Sequence, residues 1–563
     1  MDNMLRRLLV SSLALALAGC ASAPRGPVEL NLVGLNDFHG NLEPSKYSYK
    51  DLNGKIQTVQ AGGIEALSGT MRALRREDKD LLFVGAGDLV GASPALSSMW
   101  ADEPSIEAMN LLGLNDSSLG NHEFDAGRKE LLRQQNGGCD SPMRTEKACQ
   151  LEPNFGGAKF HYLAANVTDS ATGQLLVPGW RIEDVKGVKV GVIGAVLQGT
   201  PSVAVSWSVR GLSFGDEATA INQAVGQARA KGAQVFVVLI HEGGFAKESS
   251  PFQQDCAHLE GPIVDIVRKL DPAVRVVFSG HSHTGYLCKV DGRVVSQAAS
   301  MGHLLTRVQM KVDSQSGKVE AIDAHNVLVK PGEYEADPKV SALLAKVKAR
   351  SAALLAKPVS NIGVPVVSRK NSASGESPLG DLIGDAIVAA MREQGAQIGF
   401  MNPGGIRKDL EAGSDNVVSF GQAQAVLPFG NTLVVMDMSG AQLRALLEQQ
   451  WDRPPASETS ILQVSGALSY RWDESKPKGS RIVPGSVKVN GAPLDDAKTY
   501  RVVANNFLAE GGDEFPAFKQ ATNKVDTQMR DLDALIAYLK QHPGAGVPAA
   551  SLAPSARIEK VKQ

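Results

Sequence analysis

A scattered set of side chains has the types and spacing for metal-assisted hydrolysis. Asp37 and His39 fall in NDFHG and Asp88 in GAGDLVG. Asn121, His122 and Asp125 fall in GNHEFD, His241 in IHEGG, and His281 and His283 in GHSHT. A lone histidine is more often a satisfied structural residue, and an Asp after a strand is more often a turn or helix cap. Here carboxylate, amide and imidazole donors recur where one apolar run after another ends, the place where open α/β sheets hold ligands. Mixed imidazole and carboxylate donors suit zinc, manganese and similar ions. The set is too large for one tetrahedral zinc. It fits two ions about 3.5–4 Å apart that share one carboxylate, a pair able to clamp phosphoryl oxygens and ionise water at neutral pH. In Asp37-x-His39 and His281-x-His283, an extended backbone would put both side chains on one face.

The elements that must position these residues are legible in the apolar pattern. VELNLVGL from Val28, DLLFVGAG from Asp80, VKVGVIGAV from Val188, AQVFVVLI from Ala233 and VRVVFSG from Val274 are apolar at nearly every position. Such runs are strands covered on both faces. Helical stretches over 63–76, 216–231 and 261–270 separate them, and alternating strands and helices predict an α/β layered domain over residues 28–337. PKVSALLAKVKARSAALLAK is apolar at helical spacing and predicts a connector helix over 338–357, or else a last helix of the first domain. A second domain of mixed helices and short strands is expected over 358–545. The tail 546–563 has few large apolar residues and is expected to be loose.

NDFHGN, GDLVGASP, GNHEFD, HEGG and GHSHT, in this order, resemble the calcineurin-like metallophosphatase signature. The resemblance implies a four-layer αββα sandwich. It places Asp37, His39 and His283 on a first metal and Asn121, His241 and His281 on a second, with Asp88 between them. Some nucleotidases of this group carry an amide at the place of His283. The resemblance also makes His122 and Asp125 a catalytic dyad, with Asp125 orienting the imidazole and His122 stabilising or protonating the leaving oxygen. His161, His258 and His303 belong to no such pattern and are expected to be structural or surface residues.

In the second domain, SGESPLGDLIGDA, NPGGIRKDL, LPFGN and NNFLAEGGDEFP resemble the C-terminal domain of the bacterial UDP-sugar hydrolase/5′-nucleotidase family. The resemblance implies an α+β substrate-binding domain. Phe429 and Phe507 would sandwich a base, Asn431 contact it, Asp513 hold the ribose, and Arg407 contact the phosphate or carboxylate-like groups. Arg369 fits the first of two arginines usual before the Glu-Ser block; Ala373 stands at the second, with Lys370 nearby. In the family this domain rotates to bring substrate to the metals, and residues 338–357 would suit the hinge region. The implied cofactors are two divalent ions (zinc, manganese, cobalt or magnesium), and the implied substrates are nucleoside 5′-monophosphates, UDP-sugars or 2′,3′-cyclic nucleotides.

Arg6 and Arg7, the apolar run 8–18 and Leu17-Ala18-Gly19-Cys20 have the form of a bacterial secretory leader with a lipobox, 1–19, followed by a lipidated tether, 20–27. Cys20 would carry the lipid, and Ala21 after it points to the outer membrane. The four remaining cysteines then suit an oxidising compartment. Cys139–Cys149 and Cys256–Cys288 are the pairs expected to staple irregular loops. The net charge of -2 on 563 residues speaks against a nucleic-acid polymer as partner and leaves small anions open.

Overall fold

The computed structural model describes residues 26–546 and 556–561, apart from 206, 247–249, 255, 257 and 453–459. The leader and Cys20 lie outside the described residues. Among the described residues no helix is long and apolar enough to cross a membrane.

The first domain is built on two six-stranded sheets. The first runs in the order Val319–Leu328, Leu304–Val312, Val28–Leu35, Leu82–Ala86, Asp116–Ser118, His161–Leu163. The second runs Gly285–Val290, Arg293–Ala298, Val274–Ser279, Val235–His241, Val188–Val196, Trp180–Val185. The first sheet is antiparallel over its first two pairs and parallel from Val28–Leu35 to the His161–Leu163 edge, and the second is parallel at its centre with an antiparallel pair at each edge. Val235–His241 shows why its sequence is apolar throughout. Val235, Val237 and Leu239 meet the other sheet, alongside Leu32, Val84 and Phe278. Phe236, Val238 and Ile240 meet the outer helices Glu217–Ala230 and Pro262–Arg268 through Ile221, Val225, Ile263 and Val267. Helices Ile64–Glu77 and Glu103–Leu112 cover the other sheet with Leu67, Met71, Ile106 and Met109. The result is the αββα sandwich.

The connector helix spans Pro338–Leu355 and is capped by Asp337, whose side chain accepts from the Lys339 amide. Val340, Leu344 and Val347 join the apolar core of the first domain, and Trp100 Nε1 donates to Ser351 Oγ at 2.9 Å. The helix is thus packed as the last helix of the first domain, the alternative left open by its pattern.

The second domain carries a five-stranded sheet in the order Gln463–Val464, Ile398–Met401, Thr499–Asn505, Thr432–Ser439, Thr522–Arg530. Helices Pro378–Ala390 and Asp531–Gln541 pack on one side and Gly440–Glu448 on the other. Within the tail, the described residues 556–561 depart from the expectation of looseness. Ile558–Lys560 pairs in parallel with Leu468–Trp472, Ile558 is fully buried, and Arg557 Nη2 reaches Asp385 Oδ2 at 2.7 Å. A single isoleucine and one arginine, each finding a prepared partner, order a segment whose composition is otherwise that of a loose end. Disulfides join Cys139 to Cys149 and Cys256 to Cys288.

Candidate active site

The donor residues lie beyond the carboxyl ends of strands from both sheets. Val28–Leu35, Leu82–Ala86 and Asp116–Ser118 deliver Asp37, His39, Asp88 and Asn121, while Val235–His241 and Val274–Ser279 deliver His241, His281 and His283. The loops are zipped together by backbone bonds: the Asp37 amide donates to the Gly87 carbonyl at 3.1 Å and the His39 amide to the Asp88 carbonyl at 2.9 Å. The expected extended backbone in Asp37-x-His39 and His281-x-His283 is not what the chain adopts. Asp37, His39, Asp88, His281 and His283 all have positive φ, from 47° to 74°. Each side chain is swung inward by a left-handed residue, a conformation that is costly for non-glycine residues and clusters at functional sites.

Asp37, Asp88, Asn121, His39 and His241 are all buried. His39 Nε2 faces His283 Nε2 at 3.0 Å, and His283 Nε2 lies 3.3 Å from Asp37 Oδ1. On the other side Asn121 Oδ1 is 3.1 Å from His241 Nε2 and 3.0 Å from His281 Nδ1. Asp88 Oδ2 stands between the two groups, 3.1 Å from His241 Nε2 and 3.6 Å from His39 Nε2. The outward nitrogens are fixed: His39 Nδ1–H donates to the Gly91 carbonyl at 2.9 Å and His241 Nδ1–H to the Ala86 carbonyl at 2.8 Å. Such bonds from the far nitrogen turn Nε2 toward a cation.

Electrostatics supports the same use. Burial works against ionisation of Asp37 and Asp88, yet neighbouring imidazoles hold both carboxyls below their usual range. Burial also opposes a charge on His241, but Asp88 and Asp37 lift it to about 10. Burial and the charge of His241 push His281 down to about 4, so it stays a neutral donor. Two buried anions ringed by imidazoles call for a cation, because a buried charge is costly unless it is paired. The residues therefore fit divalent ions, which would take the place of the extra proton on His241.

His122 sits at the rim of this cluster, its Nδ1 2.9 Å from Asp125 Oδ2. Its ring stacks at 5.6 Å on Phe429 from the other domain, and the Arg407 guanidinium lies 5.7 Å over that same phenyl ring. One cavity of about 410 Å³ is lined by Asp88, Asn121, His122 and His283 on one side and by Arg407, Phe429, Asn431, Phe507 and Asp513 on the other. Arg369 does not line it; its guanidinium donates to the Arg407 carbonyl at 2.7 Å. Lys370 and Ala373 are exposed and do not line it either. His303 lies apart, bonded to Ser45 Oγ at 2.7 Å.

Residues 30–285 match the family described as calcineurin-like phosphoesterase, and residues 356–520 match the 5′-nucleotidase C-terminal domain. The crystal structure of a 5′-nucleotidase precursor from Thermus thermophilus superposes with a TM-score of 0.75 at 29% identity, covering 95% of this chain and all of that one. Protein UshA of Yersinia enterocolitica is 26% identical over 95% of this chain and 97% of its own length. The chain belongs to the 5′-nucleotidase family of metallophosphoesterases. Endonuclease YhcR of Bacillus subtilis is 30% identical over 92% of this chain, which spans 40% of the length of that relative.

Within this 5′-nucleotidase-family site, two supports escaped the motif reading. Glu123, buried in GNHEFD, accepts from the amides of Asp88 at 3.0 Å, Leu89 at 2.8 Å and Gly120 at 2.6 Å, and so ties the Asp88 loop to the Asn121 loop. Gly120 is required there: a Cβ would fall 2.1 Å from Asp88 Oδ1. Asn36 donates to Asp37 Oδ2 at 2.7 Å and to the Ala299 carbonyl at 2.6 Å. Their position inside ligand motifs was the only sequence signal for either.

Proposed function

We propose that this chain is a two-metal nucleotidase that hydrolyses nucleoside 5′-monophosphates to nucleoside and phosphate. The observation that carries the reading is the shared cavity, which puts the donor cluster and an aromatic-lined pocket on facing walls. Asp37, His39 and His283 would hold one ion, Asn121, His241 and His281 the other, with Asp88 bridging. When bound, the ions would supply positive charge against the phosphoryl oxygens and make a water acidic enough to attack at neutral pH. Phe429 and Phe507 would clasp the base by stacking, which tolerates different bases. Asn431 would contact its edge, Asp513 the ribose hydroxyls, and Arg407 a phosphate oxygen. As the bond from phosphorus to O5′ breaks, the proton on His122 Nε2 passes to O5′. Asp125 keeps the ring turned for that transfer by accepting from Nδ1.

The test is phosphate release from AMP, UMP, UDP-glucose and 2′,3′-cyclic AMP, after metal stripping and after re-addition of zinc, manganese, cobalt or magnesium. Release from the monophosphates on re-addition, lost in Asp88→Ala, is expected. Absence of release from every substrate at every metal would overturn the reading. A phosphodiesterase acting on oligonucleotides is the second reading, favoured by the resemblance to an endonuclease. The net charge of -2 counts against a polyanion track. Cleavage of a short oligonucleotide without release from AMP would select it. We also propose export and lipid anchoring at Cys20; a labelled fatty acid should enter the chain and fail to enter Cys20→Ala.

A further inference from the structure

Asp513 stands in a strained stretch of backbone. It and Glu514 both have positive φ, 55° and 61°, a conformation that non-glycine residues keep only where their surroundings impose it. Its carboxylate is met by Asn402, whose Nδ2 donates to Asp513 Oδ2 at 2.7 Å. Asn402 lines the cavity; behind it stands Asn505, which does not. The sheet brings the two asparagines together. Ile398–Met401 and Thr499–Asn505 run in parallel with Phe400 beside Ala504, so the residue after the first strand arrives near the last residue of the second. Both side chains are buried, and buried amides need their polar atoms paired. Here the pairing has one direction. Asn505 Oδ1 accepts from the Leu508 amide at 2.9 Å, capping the helix Asn506–Ala509 that carries Phe507. Asn505 Nδ2 is left to donate to Asn402 Oδ1 at 3.0 Å. With its oxygen engaged, Asn402 turns its NH2 toward Asp513. A backbone N–H can only donate, so the Leu508 amide fixes, through two side-chain amides, which group faces the carboxylate.

We propose that Asn505 is a positioning residue for ribose recognition: acting through Asn402, it holds the Asp513 carboxylate in the orientation that grips the ribose hydroxyls. The inference rests on the nucleotidase reading for the partner of Asp513. It deepens that reading, because discrimination between ribose and a sugar without hydroxyls becomes the work of a residue that never reaches the cavity. The same side chain caps the helix of Phe507, so the ribose grip and the base-stacking ring share one anchor. Asn505→Asp inverts the relay. It keeps an oxygen for the Leu508 amide and replaces the donor with a second oxygen. Asn402 then turns its NH2 back toward the new carboxylate and its Oδ1 toward Asp513, where the two oxygens repel.

The test titrates the metal-loaded full chain with adenosine and with 2′,3′-dideoxyadenosine in a calorimeter, which needs no turnover. The wild type should bind adenosine more tightly, and Asp513→Ala should remove that preference. Asn505→Asp should weaken adenosine about tenfold, the loss of a hydrogen bond to a charged group, and leave dideoxyadenosine unchanged. In the Asp513→Ala background Asn505→Asp should cost adenosine nothing further, because a residue that acts through another has no effect once that other is gone. Equal weakening of both nucleosides, or an added loss in the Asp513→Ala background, makes Asn505 a scaffold residue and overturns the proposal. So does an Asn505→Asp titration that overlays the wild type. If Asn505→Asp unfolds at the working temperature, Asn505→Ser carries the same comparison: serine still caps the helix but is too short to reach Asn402. Failure of the underlying reading is told apart. A preference that survives Asp513→Ala means that Asp513 does not hold the ribose, and no binding of either nucleoside removes the pocket and the relay together. A preference lost in Asp513→Ala and kept in Asn505→Asp sinks the relay alone.

Discussion

His39 Nε2 and His283 Nε2 face each other at 3.0 Å, with a carboxylate oxygen of Asp37 3.3 Å from His283 Nε2. Because His39 Nδ1–H is spent on the Gly91 carbonyl, its Nε2 brings a lone pair to this meeting. With its proton on Nδ1, His283 would meet that lone pair with another, and a cation between the two nitrogens relieves the repulsion. Chelator treatment should therefore lower thermal stability as well as activity, and metal re-addition should restore both. Saturation at about a hundred times Kd is worth about 2.7 kcal/mol. Calorimetric scans with and without chelator check this; Asp88→Ala should abolish the metal-dependent shift in Tm, and an unchanged shift would remove Asp88 from the centre.

The dyad predicts an asymmetric pair of losses. His122→Ala should reduce kcat by about 10²- to 10⁴-fold, the usual contribution of a positioned acid. Asp125→Asn leaves the ring in place and removes the anion that orients it, so its loss should be smaller. Bound metal, measured by elemental analysis, should stay at the wild-type level in both. A fall in metal content would mean that His122 works as a ligand, a role its place beside His39 and Asp88 makes worth testing.

The aromatic pair gives the opposite kinetic signature. Phe507→Ala and Phe429→Ala each remove one face of base stacking, worth about 1–3 kcal/mol, or roughly a tenfold rise in KM or more. Phe507→Ala should leave kcat nearly intact. Phe429→Ala should also lower kcat, because the same ring stacks on His122. Steady-state kinetics on AMP against a ribose 5-phosphate control separates the two: a change of equal size on the base-free ester would sink the stacking role.

Much of this site was legible because strands covered on both faces leave unbroken apolar runs, and the polar residue that ends each run is conspicuous. Val235–His241 is the clearest case, with His241 closing a run whose other members are all apolar. The backbone of the site was not legible. A period of two presumes extended residues, whereas positive φ at Asp37 and His39 is imposed by bonds to the Gly87 and Asp88 carbonyls on a loop remote in sequence. Glu123 was hidden because it acts on backbone amides, which any sequence offers. Gly512 is a further position of this kind: in the fold a Cβ there would sit 2.5 Å from the Phe507 ring, so the glycine makes room for that phenyl group. The tail strand depends on a pairing between Tyr470 and Ile558 too distant for any local pattern to signal.

Asp116 offers a test of the scaffold apart from catalysis. It is fully buried on the strand Asp116–Ser118, and neither of its oxygens has a hydrogen-bond partner. Arg181 Nε lies 3.3 Å from Oδ1 but out of alignment. Burial, aided by the charge of Glu183, raises its pKa to about 7 from 3.8, against the opposing pull of Arg181. The folded chain thus holds this proton more tightly than the unfolded chain. Ionisation costs stability, and the cost grows as pH rises from about 4 to about 7 and then levels off. Asp116→Asn keeps the shape and cannot ionise. Its stability relative to the wild type should therefore rise between pH 5 and pH 8, by at least about one kcal/mol, because each tenfold difference in proton affinity between the folded and unfolded chain is worth about 1.4 kcal/mol. Denaturant melts of both proteins at the two pH values measure the difference. A gap that stays constant or shrinks with pH would mean that Arg181 pairs with the ionised carboxylate after all.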